Sequence, residues 1–226
     1  MLEMMMATRQ IKPEAKGQFV NKSANTSPTI TIPENVSFVN GVVIGAGGSG
    51  GGAGGGGGGG GSILYFNKLP VKKGDVFQLV VGAAAAYSFG DGNQGGVVEL
   101  RLNGVAIATA VGGQGGKRTT KVGGAVGTMT LPSGSPLYNA GVQYRIGLGT
   151  TGQSQSSGAA GNAGSYDATT NTGGQSPYGK GGGEKIYGAG SKGGDPGDSS
   201  PTCAPGAIRL VWGSDREYPL NSLGNV

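Results

Sequence analysis

The chain has 226 residues, of which 52 are glycine, and its hydrophobic fraction of 35% predicts one domain with a modest core. It contains no histidine and one cysteine, which excludes imidazole catalysis, histidine-containing metal sites and an intrachain disulfide. The formal charge of +5 arises from few acids rather than many bases, and the scattered cations argue against nucleic-acid binding.

Residues 1–28 precede the strand-forming part of the chain. Their Met-rich start matches neither a secretory signal peptide nor a mitochondrial presequence, and no segment of the sequence is apolar enough to insert into a membrane. Methionine adapts to irregular apolar surfaces. We therefore interpret 1–28 as an attachment segment that docks on a partner protein, with a frayed tail as the alternative.

Residues 29–149 carry strand chemistry interrupted by glycine. β-Branched and alternating patterns predict strands at Thr29–Ile32, Val36–Ile44 with a bulge or bend at Gly41, Ile63–Phe66 and Val76–Val81. Val97–Val111 predicts a β-hairpin, because Asn103-Gly104 supplies the two positive-φ residues of a type I′ turn. Shorter strands are expected at Thr128–Leu131, Val142–Leu148 and Ala207–Trp212. The fold class is therefore all-β, a small antiparallel sandwich or open barrel.

The glycine block 45–62 excludes an α-helix and an ordinary strand. Its glycines fall on every third position, which would place Gly45, Gly48 and Gly51 on one line of a three-residue extended helix. Bare glycine edges let such helices approach and bond through backbone N–H groups and weak Cα–H contacts. We therefore expect long glycine-rich loops with polyglycine II helices as one form that they take.

Residues 150–206 form a second glycine-rich segment, and 207–226 form the closing strand and C-terminal tail. The second segment is too poor in aliphatic residues to order by ordinary packing, so it is either disordered or ordered by backbone bonding. Its isolated tyrosines favour a recognition or structural role, since tyrosine supplies contact area on loops of small residues.

Two glycine patterns imitate nucleotide-binding motifs without their context. Gly45–Gly50 reads G-x-G-x-x-G, but polyglycine follows where a helix and a later acid are required. Gly112–Arg118 lacks the first glycine and the magnesium-binding hydroxyl of a phosphate loop. No dense calcium loop occurs, and Asp195–Asp198 is typical of a turn. The sequence predicts no catalytic residues, no metal and no cofactor, and so no enzyme.

Exposed aromatic residues in the glycine-rich loops are the candidate receptor-binding residues. They are Tyr87, Phe89, Tyr166, Tyr178 and Tyr187. The alternative is that each ring only pins its own loop to the scaffold.

The order of these elements resembles the glycine-rich repeats of bacteriophage tail-fibre and other virion proteins. The resemblance is carried by Thr31–Ile44, the glycine block, Ile63–Phe66, Leu69–Asp75, Val80–Gly82 and the ending Pro205–Gly213. It implies a virion component at a tail fibre or tail tip. Members of known function include adhesins that contact outer-membrane proteins or lipopolysaccharide through loops on a glycine-helix bundle.

We therefore expect a phage virion protein that recognises the host surface, exposed on the particle after assembly in the host cytoplasm. Its expected partners are other virion proteins, through the N-terminal segment, and a bacterial outer-membrane protein or polysaccharide, with oligomerisation. The alternative is a purely structural virion protein, such as a decoration, adaptor or fibre component, without receptor binding.

Overall fold

A computed structural model describes residues 15–52, 54–86, 88–149, 151–152, 154, 203–213 and 217–218, and the backbone of 175–176 and 179–180. Within these residues the chain forms twelve strands and one 3₁₀ helix. In chain order they are β1 (Gly17–Asn21), β2 (Thr29–Thr31), β3 (Phe38–Ile44), β4 (Ile63–Pro70), β5 (Val76–Val81), β6 (Val98–Leu102), β7 (Val105–Ala110), β8 (Met129–Thr130), the 3₁₀ helix Pro136–Tyr138, β9 (Gln143–Gly147), β10 (Gln175–Ser176), β11 (Gly179–Lys180) and β12 (Ala207–Trp212).

Ten of these strands form two antiparallel five-stranded sheets. Sheet 1 has the order β1-β12-β3-β4-β9, and sheet 2 has the order β2-β5-β6-β7-β8. Strands β10 and β11 pair only with each other. The predicted all-β class is confirmed as a sandwich, since the two sheets do not join into a barrel among the described residues.

The main core lies between the sheets, where the period-two alternation of each strand places apolar side chains. Sheet 1 contributes Phe66 and Leu210, and sheet 2 contributes Phe77, Leu79 and Leu100; all five are fully buried. Their burial removes apolar surface from water, the dominant favourable contribution to folding.

Sheet 1 also buries its outer face, where a second apolar cluster includes Val42, Ile63, Tyr65 and Val211. Tyr218 covers this cluster with its ring centroid 5.8 Å from that of Tyr65. Because both faces are covered, β12 is buried at every residue and has a nearly continuous apolar sequence.

Local predictions in the β-rich part are confirmed. Asn103 and Gly104 have φ of 51° and 81°, as a type I′ turn requires. The register of β3 against β4 shifts between Val39 and Gly41. A Cβ at Gly41 would meet the Phe66 ring, which explains the glycine at this bulge.

Strand β1 is the element that the sequence analysis did not predict. Its sequence, GQFVN, lacks a clear alternation, and it forms by pairing with β12 from Gly17 opposite Trp212 to Asn21 opposite Ile208. The Gln18 Oε1 atom accepts two hydrogen bonds from the buried guanidinium of Arg209, at 3.1 and 2.7 Å. Part of the predicted attachment segment 1–28 is thus a strand of the sandwich.

Candidate functional site

The glycine-rich parts of the chain extend the strands of both sheets beyond the same end of the sandwich. β3 continues into segment A (45–52), and segment B (55–62) leads into β4. Segment C (90–97) leads into β6, segment D (111–118) continues β7, and segment E (121–128) leads into β8. We call these five segments the glycine bundle. All residues of A and B are buried, so this part of the chain lies at the bundle's centre.

Segment A bonds to its neighbours with a repeat of three residues. Every third amide of A donates to a carbonyl oxygen of B at 2.8 or 2.9 Å. The donors are Gly45, Gly48 and Gly51, and the respective acceptors are Ser62, Gly59 and Gly56. Three residues per turn is the repeat of the polyproline II helix, whereas a strand alternates every two. The spacing of these hydrogen bonds agrees with the predicted line of glycines, and it is the spacing that a polyglycine II helix has.

Segment D bonds to all four other segments of the bundle. The carbonyl oxygens of Ala46 and Ser49 in A accept bonds from amides of D at 2.9 Å. Gly59 of B donates to D, Gly95 of C donates to D, and Gln114 of D donates to Ala125 of E, at 2.8 to 2.9 Å. A strand within a sheet has hydrogen-bonded neighbours on two sides only. The bundle therefore forms a lattice rather than a layer.

The absence of side chains makes this lattice possible. Packed sheets lie about 10 Å apart because side chains fill the gap, whereas backbone hydrogen bonds set neighbouring chains about 5 Å apart. Segments A and B continue sheet 1 and segments C, D and E continue sheet 2, yet A bonds directly to C and D. The two sheets thus merge into one hydrogen-bonded body where glycine replaces larger residues.

Ser49 is the polar side chain buried within segment A. Its Oγ atom accepts a hydrogen bond from the backbone N–H of Asn93 at 2.7 Å, and its own N–H donates to the Asn93 carbonyl oxygen at 2.9 Å. A small side chain is accommodated here because it bonds to the backbone of a neighbouring segment. This contact fixes segment C against segment A.

The turns at the far end of the bundle form what we call the tip, which consists of Gly52, Gly54 and Gly55 and of residues 88–91 and 118–121. Gly54 has a φ of 75°, which allows the chain to reverse between A and B. Phe89 is 76% exposed beside this turn, since Gly52 donates to the Gly90 carbonyl oxygen at 2.9 Å. The tip therefore presents an aromatic ring on a backbone held by the bundle.

An acidic side chain connects two turns of the tip. The Asp91 carboxylate accepts hydrogen bonds from the Arg118 backbone N–H at 2.9 Å and from the Lys117 Nζ atom at 3.1 Å. These bonds, that of Arg118 first and that of Lys117 second, lower the pKa of Asp91 from its ordinary value. The carboxylate is thus ionised at neutral pH and braces the turn 118–121.

Of the predicted receptor-binding residues, the structure places Phe89 at the tip. Tyr87, Tyr166, Tyr178 and Tyr187 have side chains that lie outside the described residues. The last three follow Gly152 and precede Cys203 in the sequence. Gly152 donates to the Gly124 carbonyl oxygen of segment E at 2.8 Å, and Ala204, next to Cys203, accepts from Gly47 of segment A at 3.1 Å. The second glycine-rich segment therefore leaves from the bundle and returns to it.

Sequence reasoning missed the contribution of the turn 118–121 to the candidate site. Lys117, Arg118 and Lys121 are close together in the sequence, but three cations in a glycine-rich turn are also typical of an ordinary solvated surface. The signal that could have indicated a site is that this turn connects two glycine-rich segments. Its long side chains therefore lie at the end of a bundle that has few side chains.

At the opposite end of the sandwich, the described part of the chain enters β1 and leaves β12. β1 enters at Gly17, which pairs with Trp212 at the exit of β12, and Ala207 at the other end of β12 pairs with Ile44 next to the bundle. There the turn at Asp75 is fixed by hydrogen bonds from the Lys72 N–H at 2.9 Å and the Asn103 side-chain amide at 3.0 Å. We call this end the base.

Two features are absent from the part of the chain that the structure describes, a metal-binding cluster and a membrane-spanning helix. No three histidine, cysteine, aspartate or glutamate side chains there are grouped so as to hold a metal ion. None of the helices in the described ranges is long and apolar enough to cross a membrane.

Comparison with known proteins identifies the glycine-rich character of the fold. No match is found among the curated proteins. The family model for the glycine-rich domain matches residues 22–210, which include β2–β11, the first four residues of β12 and the whole glycine bundle. The chain therefore belongs to the glycine-rich domain family.

Proposed function

We propose that this protein is a bacteriophage virion protein of a tail fibre or tail tip, which recognises the host surface without enzymatic activity. The observation that carries this proposal is that the two ends of the molecule differ. The exposed aromatic ring and the charged turns lie at the tip, whereas the chain enters and leaves the sandwich at the base. One end is thus suited to attachment and the other to contact.

The length and rigidity of the glycine bundle support this proposal. Eight residues of a polyproline II helix span about 25 Å at about 3.1 Å per residue, and each segment is cross-bonded to several neighbours. A body held by backbone bonds does not depend on the sequence of its tip, so turns can vary without loss of the fold. Loops positioned by a rigid scaffold are the usual location of binding residues.

The proposed partners follow from the same difference between the tip and the base. We propose that the part of the N-terminal segment 1–28 that precedes β1 docks on another virion protein, that the tip contacts a bacterial outer-membrane protein or polysaccharide, and that the protein acts as an oligomer on the particle. Tyrosine and phenylalanine supply rigid contact area on loops of small residues, which is the composition of Tyr87, Phe89, Tyr166, Tyr178 and Tyr187 and their neighbours.

Binding of the labelled protein to cells of a host panel tests the proposal. We expect saturable binding to a narrow set of strains. Phe89→Ala is expected to weaken it, and Phe38→Ala is the control, because Phe38 is an exposed ring on β3 away from the tip. Absence of binding by the folded protein to every strain of the panel would instead favour the structural virion protein. Equal binding by the Phe89 and Phe38 variants would refute the assignment of the tip.

A further inference from the structure

We propose that the turn 118–121, held in place by Asp91, binds an anionic surface glycan, one that carries phosphate or carboxylate groups. This inference rests on the proposed function and names its ligand class. The cations are Arg118 and Lys121, and the intervening Thr119 and Thr120 supply exposed hydroxyl groups.

Charge is segregated within the glycine bundle. Segments A to E contain four charged residues, namely Asp91, Lys117, Arg118 and Lys121, and all of them lie at or next to the tip. Three cations and one anion give a net charge of +2 there. The rest of the bundle exposes backbone and small neutral residues, so the field at this end is positive.

Asp91, the one anionic residue of this group, is bound to other residues of the tip. Asp91 is paired with Lys117 and accepts the Arg118 backbone N–H. Among the described residues, the Arg118 guanidinium and the Lys121 ammonium have no ion-pair partner. Both side chains are exposed and thus remain available to an external anion.

The turn is held in one conformation before any ligand arrives. Lys117 donates its backbone N–H to the Val122 carbonyl oxygen at 2.8 Å, and Lys121 has a φ of 56°. The backbone of Arg118 lies against segments A and B so closely that a Cβ at Gly51 or Gly55 would come within 2.8 or 2.9 Å of it. A preorganised turn loses little conformational entropy on binding.

The chemistry of these groups selects the ligand class. Guanidinium binds phosphate and carboxylate through paired, charge-assisted hydrogen bonds, and threonine hydroxyls bond to sugar hydroxyls. Two unpaired cations with one exposed ring, Phe89, form a small site. Nucleic-acid binding uses a longer basic stripe and neutralises many phosphates, so the observations favour a glycan.

Binding of the full chain to purified lipopolysaccharide, measured by biolayer interferometry, tests the inference. The double variant Arg118→Gln/Lys121→Gln is expected to weaken binding by at least about tenfold, because charged hydrogen bonds are lost. The matched control is Arg145→Gln/Lys72→Gln, which removes two exposed cations away from the tip and is expected to bind like the wild type. Raised salt is expected to weaken wild-type binding.

The probes separate the two sources of charge. Loss of binding after chemical dephosphorylation of the lipopolysaccharide would show that the site binds phosphate groups. Binding to a phosphate-free capsule of uronic acids would show that it binds carboxylate groups. Equal binding to a neutral glycan, equal affinity of the double variant, or tighter binding to single-stranded DNA would overturn the inference. If cells are bound through the tip without any effect of the double variant, the inference fails and the proposed function stands. If acidic glycans are bound but no strain is, the proposed function fails and the site stands.

Discussion

Replacing one central glycine by alanine is expected to separate segments of the glycine bundle. Gly48 is buried in segment A, and a Cβ there would lie 2.6 Å from the Gly113 carbonyl oxygen and closer still to that of Gln114. An ordinary contact of this kind is 3.4 Å or longer. Segment A therefore has to move away from segment D by about 1 Å, since the obstructing atoms are backbone.

The magnitude follows from the two hydrogen bonds that flank this position. Gly113 donates to Ala46 and Gly116 donates to Ser49, both at 2.9 Å and both buried. Breaking them leaves buried polar groups unpaired, at about 1–3 kcal/mol each. Alanine also restricts the unfolded chain, which stabilises by about 0.4–1 kcal/mol. We expect Gly48→Ala to lower the free energy of unfolding by about 1–6 kcal/mol.

Urea and thermal unfolding followed by circular dichroism measure this effect. A loss of that size lowers the Tm by about 2–24 °C for a chain of this length. Gly90→Ala is the control, because its Cβ would meet only Ser88 Oγ at 3.6 Å, and we expect it to leave the Tm unchanged or slightly raised. A Gly48→Ala variant as stable as the Gly90→Ala variant would show that the segments do not pack at hydrogen-bonding distance.

Three further predictions concern single side chains. Ser49→Ala removes the side-chain acceptor of the Asn93 N–H, a partly buried hydrogen bond, and is expected to destabilise the protein by about 1 kcal/mol in urea unfolding. Asn67→Ala removes the hydrogen bonds between the Asn67 amide and the Tyr218 backbone, so limited proteolysis is expected to cleave the C-terminal end faster, with unchanged cleavage arguing against this anchor. Burial raises the pKa of the Cys203 thiol, so its alkylation is expected to be slow until the protein unfolds, and stability is expected to fall as pH rises above the ordinary thiol pKa near 9.0 because only the unfolded thiol then ionises.

Some of the fold could be predicted because the relevant interactions are local. The Asn103-Gly104 turn depends on the φ preferences of two residues and was predictable from them. The strands of the β-rich part were visible because alternation reports which face is buried. Within the candidate site, Phe89 was predicted as an exposed ring in a glycine-rich loop, and its exposure is observed.

Other features could not be predicted because their partners are distant in sequence. Strand β1 exists because Gln18 and its neighbours pair with β12, and the Gln18–Arg209 contact joins residues 191 positions apart. The brace between Asp91 and Arg118 connects two turns across 27 positions. A single sequence contains no signal for which of many exposed carboxylates meets which backbone amide.

The sequence by itself determined that the chain is an all-β domain with glycine blocks that no helix or ordinary strand can use, because side-chain size and φ preference are properties of each residue. It also determined the repeat of three that lets glycines share a line. The tertiary structure alone decided that segment A bonds to B, C and D at once and that the turn 118–121 stands at the tip. Backbone hydrogen bonds between glycines are chemically identical, so only the arrangement of the strands that lead into them selects the partners.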